Sequence, residues 1–206
     1  MISKKPLETG VEKKAADNFT GERFVPGIDD VKLSMEHYQR YYSVLPLTKG
    51  KTVLDAACGE GYGTALLASD SFHVTGIDIS KEALLRARQN YSQFDNVEFI
   101  EASIEKLPMA DHSVDVIISF ETIEHVPEAV QWKFLDEIAR VLKEDGILVM
   151  STPNKEIYSD RPNYHNEFHI KEFYQKEFLA FLSTRFSQIK LYNQFFENVC
   201  IVTDDT

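Results

Sequence analysis

The feature that most constrains this chain is a change of period at Thr52. From there, short apolar runs alternate with stretches of helical spacing. TVLDAA (52–57), FHVTGIDI (72–79), NVEFIEA (96–102), VDVIISF (114–120) and ILVMST (147–152) read as strands. Helices fall between them through YGTALLAS, KEALLRARQNY and PEAVQWKFLDEIARVLKEDG. Ser80 is placed to cap the second of these helices. In the third, Val130, Phe134, Leu135, Ile138, Val141 and Leu142 share one face and Gly146 is the stop. Five strands with helices between them predict an α/β fold: a doubly wound, mostly parallel sheet covered on both faces. A further helix through KEFYQKEFLAFLS leads to two closing strands near FSQIKLY and NVCIVT, making seven.

Ahead of this region, residues 1–18 are polar and without period, and FTGERFVPG is loop-like. VKLSMEHYQRYYSVLPL then sets Leu33, His37, Tyr41 and Val44 at helical spacing, with an end expected near Pro46. The chain therefore reads as one structural domain. Residues 1–48 form an extension with a lid helix, and 49–206 form the sheet domain.

The 206 residues carry a net charge of −11, which opposes binding to phosphate backbones or anionic lipid by bulk electrostatics. Nucleic acid is thus a disfavoured partner. Cys58 and Cys200 are the two cysteines, too few and too far apart for a disulfide framework. MISKKPLETGVEKK lacks the apolar stretch of a secretory signal, and no run approaches a membrane span. The expectation is a cytoplasmic globule with no membrane insertion.

In an open α/β sheet, ligands bind beyond the carboxyl ends of the strands where strand order reverses. The first strand runs into VLDAACGEGYG, a turn whose glycines bring backbone close to a ligand at a helix start. The plain alternative is that Gly59, Gly61 and Gly63 only make a tight connection. A dinucleotide fingerprint needs a third glycine where Thr64 stands, and a phosphate loop needs a Lys-Ser/Thr pair that is missing. Asp55 and Glu60 flank the turn and would repel pyrophosphate but suit an ammonium group. Asp78 ends the second strand, where a carboxylate can accept both ribose hydroxyls. A nucleoside with a cationic amino-acid tail meets these conditions, and S-adenosylmethionine is such a molecule.

VLDAACGEGYG, GIDIS, EASIEKLPMADHSVDVIISFETIEHV and RVLKEDGILVMSTPN resemble, in order, the motifs of class I S-adenosylmethionine-dependent methyltransferases. The resemblance implies that Asp55, Gly59 and Gly61 line the methionine end and that Asp78 holds the ribose, with Ile79 against the adenine. It places Ser103 and Ile104 beside the adenine amino group, Ser103 standing where the family usually has Asp, and Phe120 on the far side. It also implies a last, antiparallel strand at NVCIVT. FTGERFVPG…EHYQRYY and STPN…YHNEFHIKEF resemble bacterial methyltransferases associated with polysaccharide and glycan assembly. A sugar hydroxyl is therefore the first acceptor, with S-adenosylhomocysteine as the other product.

Glu121-x-x-Glu124-His125 follows the fourth strand; at the start of a helix, that spacing puts all three side chains on one face. His165 and His169 lie in a loop after the fifth strand, on the same side. Glu121, His125 and His169 are the candidate catalytic residues, one imidazole acting as general base. Glu121, Glu124, His125 and His169 could instead hold a divalent metal, an arrangement similar to that of enzymes methylating the terminal 2′-hydroxyl of small RNAs. The metal-free reading comes first, because acidic residues in a first helical turn are favoured by the helix dipole alone. Arg40 is a candidate partner for the methionine carboxylate, and a surface ion pair is the alternative. Arg23, His37 and Tyr41 join it as lid candidates. Cys58 reads as a packing residue and Trp132 as a half-exposed one. The leading expectation is O-methylation of a sugar or glycan precursor. The rivals are transfer to another small acceptor, such as a phenol or amine, and a cofactor-binding module without catalysis.

Overall fold

The central strand, Thr52–Ala56 (β1), is buried on both faces of the sheet from Val53 onward. Val53 packs on one side with Val74, Val116 and Ile118; Leu54 and Ala56 pack on the other with Ile77, Ile117, Phe134 and Ile138. The computed structural model describes residues 24–27 and 30–195. Around β1 the chain runs α1 (Val31–Thr48), α2 (Tyr62–Leu67), β2 (His73–Asp78), α3 (Lys81–Tyr91), β3 (Val97–Glu101) and β4 (Val114–Phe120). It continues through a 3-10 turn (Ile123–His125), α4 (Glu128–Val141), β5 (Leu142–Ser151), a π-helical turn (Glu156–Asp160) and α5 (Gln175–Ser183). The strand order is β3-β2-β1-β4-β5, all parallel. Strand order thus reverses between β1 and β4, and their carboxyl ends open one crevice.

Several expectations meet the structure directly. Ser80 caps α3, its hydroxyl accepting from the Ala83 N–H at 3.2 Å. The described residues hold five strands rather than seven: 186–192 form no strand, and NVCIVT lies outside the described residues. The lead-in 1–18 and Arg23 lie outside them too. No helix among the described residues is long and apolar enough to cross a membrane.

The first helix does not stop at Pro46 but runs through it to Thr48, whose hydroxyl donates to the Leu45 carbonyl. A proline in the last turn removes one bond from a segment that is ending anyway. Nor does Gly146 end α4. The helix stops at Val141, and Gly146 lies inside β5, where the register with β4 slips between Val114 and Val116. There a Cβ on Gly146 would stand 2.7 Å from Leu142 Cγ, so the glycine serves a bulge and not a cap.

Helix α1 is part of the core. Tyr41 and Val44 are buried against Val53, Leu67 and Val116, and Phe24 stacks on His37 at 4.6 Å. Tyr62 meets Tyr41 edge-on at 5.3 Å, and Phe120 meets it at 5.1 Å. Gly63 lets Tyr41 lie this close, since a Cβ there would overlap the phenol ring. Gly63→Ala should therefore cost about 1–3 kcal/mol of stability through overpacking. In a Tyr41→Ala background the same change should be neutral or stabilising, because alanine favours the helix. Urea midpoints of the four chains measure this, and equal costs in both backgrounds would refute the contact.

Candidate functional site

Ala57, at the end of β1, has φ 62°, and Glu121, at the end of β4, has φ 50°. Side chains rarely adopt this left-handed region, at roughly 1–3 kcal/mol each. The strain sits on the two strands that bound the crevice.

The β1 turn builds one half of the site. The Cys58 N–H donates to the Ile77 carbonyl at 2.8 Å, tying the turn to β2. The next amide, Gly59 N–H, donates to Asp78 Oδ2 at 2.9 Å, while Ser80 N–H donates to Oδ1 at 2.8 Å. Asp78 is thus fixed beside the turn with lone pairs left for a ligand. Gly59 has φ 54°, and a Cβ there would meet nothing within 4 Å among the described residues, so its backbone is open on that side. Gly61 differs: a Cβ there would come within 2.7 Å of Ala87 and Phe99. It is a packing glycine and does not face the crevice.

The two acidic residues flanking the turn are not open to a ligand either. Glu60 is buried and paired in bidentate fashion with Arg86, at 2.7 and 2.6 Å. Asp55 lies beneath the turn, fully buried, and accepts from Tyr41 Oη at 3.1 Å and Thr64 Oγ1 at 2.7 Å. Burial pushes its carboxyl up to about 6, against the pull of those two hydrogen bonds. Cys58 is buried, and burial pushes its thiol well up, as befits a packing residue.

Beyond β2, Ile79 is 73% exposed next to Asp78, an apolar face available to a flat ring. Ile104 is instead buried among Leu54, Ile77 and Leu107, and Ser103 Oγ accepts from Glu105 N–H in its own turn. The Ile104 side chain therefore packs inward, while Ser103 stays exposed on its turn. Phe120 is half-buried against Tyr41. Arg40 pairs with Glu121 at 3.4 Å, and its Nη1 is buried with no hydrogen-bond partner among the described residues.

The acceptor half departs from the expected helix. Pro127 forces Val126 into extended backbone (φ −123°, ψ 151°), so Ile123–His125 is one 3-10 turn and α4 starts at Glu128. Glu121 stays outside, accepting from Ser151 Oγ at 2.6 Å. Glu124, His125 and His169 do converge, with candidate ligand atoms all within 4.8 Å of one another. His165 is exposed and is not one of the converging group. The two segments are stitched by backbone bonds: Ile170 and Lys171 N–H both donate to the Glu124 carbonyl. Buried Gln131 reinforces the join, donating to the Ile123 and Lys171 carbonyls at 2.8 and 3.0 Å.

Each converging side chain has its other polar atom held. His125 Nδ1 donates to the Phe168 carbonyl at 3.0 Å, and Thr152 Oγ1 donates to Glu124 Oε2 at 2.9 Å. His169 Nδ1 donates to Glu172 Oε1 at 2.5 Å. Glu124 Oε1 is buried with no hydrogen-bond partner among the described residues. Burial, with Glu121 repulsion behind it, pushes the Glu124 carboxyl up to about 8.

Comparison with known proteins decides the family. Residues 47–198 match the model of a family described as a methyltransferase domain. The chain belongs to this methyltransferase family. It is 35% identical over 179 residues to a probable S-adenosylmethionine-dependent methyltransferase of Mycobacterium tuberculosis, covering 86% of this chain and 64% of that relative. The chain thus spans just under two thirds of that relative's length. Among solved structures, a Pyrococcus horikoshii protein superposes with TM-score 0.63 at 25% identity, over 72% of this chain and 81% of that one. The N-methyltransferase NodS of Bradyrhizobium japonicum, solved with S-adenosyl-L-homocysteine, shares the fold at TM-score 0.63 and 19% identity, over 76% of each chain.

Reading the sequence missed Glu172, Asn166, Gln131 and Thr152. Glu172 stands three after His169, a spacing that carries meaning only once the loop is seen to fold back on itself. Tyr41 was marked as a lid residue, but its bond to Asp55 had no signal.

Asp55 makes stability depend on pH. An acid held above its ordinary 3.8 binds its proton more tightly folded than unfolded. Its contribution is therefore most favourable below about pH 4 and declines as pH rises to about 6, by on the order of 3 kcal/mol. Asp55→Asn, which keeps both hydroxyl partners, should remove that decline. Urea midpoints at intervals from pH 4 to 7 test it, and an unchanged slope would contradict the buried acid.

Proposed function

We propose that the protein is an S-adenosylmethionine-dependent methyltransferase acting on a hydroxyl of a sugar or glycan precursor. The observation that carries the cofactor reading is Asp78 pinned to the Gly59 amide, beside backbone open to a ligand. The family, the name of the mycobacterial relative and the product bound in NodS support it. Bound there, S-adenosylmethionine supplies a methyl group on a sulfonium leaving group. Asp78 accepts the ribose hydroxyls, Gly59 admits the ligand to the backbone, and Ile79 gives the adenine an apolar face. Arg40 turns its buried Nη1 to the carboxylate of the methionine end, keeping Glu121 as its other partner. Phe24, His37 and Tyr41 cover the turn and exclude water. His37 stays neutral there, its imidazole lowered to about 4 by burial and the nearby Arg40 charge.

A sugar hydroxyl has a high pKa, so its proton needs a receiver as the oxygen attacks. His169 is that base in our reading, while His125 and Glu121 shape the acceptor's place. The sugar itself rests on the resemblance of FTGERFVPG and STPN…YHNEFHIKEF to the glycan-associated group. A second reading has one observation in its favour, the buried Glu124 Oε1 with no hydrogen-bond partner among the described residues. Glu124, His125 and His169 form a mixed oxygen and nitrogen donor set that fits an ion such as Mn²⁺, which would lower the pKa of the acceptor hydroxyl. Glu121 is no ligand in that reading, since Ser151 and Arg40 hold its carboxylate.

Asp78→Ala should weaken S-adenosylhomocysteine binding at least tenfold in calorimetry, from hydrogen bonds worth about 1.5–3 kcal/mol. Unchanged affinity in a folded variant would sink the cofactor placement. Labelled S-adenosylmethionine offered with nucleotide sugars and phenols should mark a sugar; label on phenols alone would refute the acceptor class. Transfer that survives chelation supports the base, whereas loss restored by Mn²⁺ supports the ion.

A further inference from the structure

The loop after β5 holds a buried imidazole and carboxylate in a set order. His169 and Glu172 have side chains only 6% and 8% exposed, with Nδ1 and Oε1 2.5 Å apart. Ser159 Oγ donates to the remaining oxygen, Glu172 Oε2, at 2.6 Å. On the far side of the ring, Asn166 Nδ2 stands 3.1 Å from His169 Nε2. The Asn166 amide is oriented by Phe168 N–H, which donates to its Oδ1 at 3.0 Å. Nδ2 is therefore a donor, Nε2 must accept, and Nδ1 carries the ring proton. Tyr158 stacks on the imidazole at 5.2 Å and fixes its plane.

The two sides of the ring face different spaces. His169 and Asn166 line the large cleft shared with Gly59, Glu121 and His125. Glu172 does not reach that cleft. It lines a smaller one behind, of about 550 Å³, with Ser159 and Tyr174. The imidazole thus stands as a partition, with its accepting nitrogen toward the reaction side and its proton toward a buried carboxylate. Burying an ionisable pair is costly unless every lone pair is used, and here Ser159 uses the last oxygen. A loop that needed only closing could be closed by neutral groups.

We propose that Glu172 is the positioning residue of an acceptor–His169–Glu172 relay, and that the Asn166 amide holds the place the acceptor hydroxyl takes on Nε2. The inference rests on the O-methyltransferase reading and deepens it. In the step, the acceptor oxygen bonds to the methyl carbon as the methyl–sulfur bond breaks, its electron pair passing to sulfur. The hydroxyl proton moves to His169 Nε2. Glu172 remains ionised and stabilises the imidazolium so formed, the role of a carboxylate behind a catalytic imidazole.

Glu172→Gln tests this in the full chain. The amide carbonyl can still accept from Nδ1, and its NH₂ can donate to Ser159, so geometry is kept and charge is lost. With the sugar found by the labelling panel, kcat should fall at least tenfold. Acceptor KM, S-adenosylhomocysteine affinity and melting temperature should stay near wild type. Nitrogen-15 spectra of the histidine rings, with S-adenosylhomocysteine bound and no acceptor, should show the wild-type His169 protonated at Nδ1. Its proton should resonate far downfield, from a short charge-assisted bond, and move upfield in Glu172→Gln. The relay is overturned by a variant within threefold of wild-type kcat, by loss that merely tracks loss of folded protein, or by an Nε2-protonated ring. If the panel yields no methylated sugar, the functional reading has failed, and the spectra alone still judge the dyad.

Discussion

Much of the molecule hangs on one buried carboxylate. Asp55 is the point where α1, β1 and α2 are tied together, through Tyr41 and Thr64. The three elements meet under the glycine turn that faces the crevice. Burial raises the proton affinity of this carboxylate, and its two hydroxyl partners offset only part of that. The N-terminal helix is consequently no loose cover: the ring that reaches Asp55 also fills the space left by Gly63 and touches Phe120 at the end of β4.

The fold was legible because its signals are local and redundant. Val53, Leu54 and Ala56, Val74 and Ile77, and Val116–Ile118 put apolar side chains on both faces, as a sheet covered twice requires. Ser80 announced its cap. Boundaries moved where a further contact, distant or local, overrode a simple rule. Gly146 reads as a helix stop until β4 recruits Leu142 into a pair, and Pro46 reads as an end until Thr48 closes the turn beyond it.

The candidate site was legible in its list and illegible in its orientation. Asp78 and Gly59 are joined by a hydrogen bond at the glycine turn, and His125 and His169 converge. Asp55, Gly61, Glu60 and Ile104 bear the right types at the right spacing, yet point into the protein. Nothing in the string distinguishes an acid that greets a ligand from one that braces a strand, because both need the same backbone placement. Glu121 would share a face with Glu124 and His125 only at the start of a helix; the structure gives it a left-handed backbone that turns its carboxylate to Ser151 and Arg40.

Trp132, the one tryptophan of the chain, lies 38% exposed on α4 with its ring 4.7 Å from that of Phe181 on α5. Phe181 belongs to the cluster of Ile123, Leu135, Phe173 and Phe178 that underlies the 3-10 turn and ends the loop bearing His169. The indole therefore sits on the outer wall of the same small core that sets the two imidazoles in place. As the chain's one indole, it can be excited apart from the tyrosines, so its emission is an optical gauge of whether the acceptor half of the site is assembled, read without ligand, label or turnover.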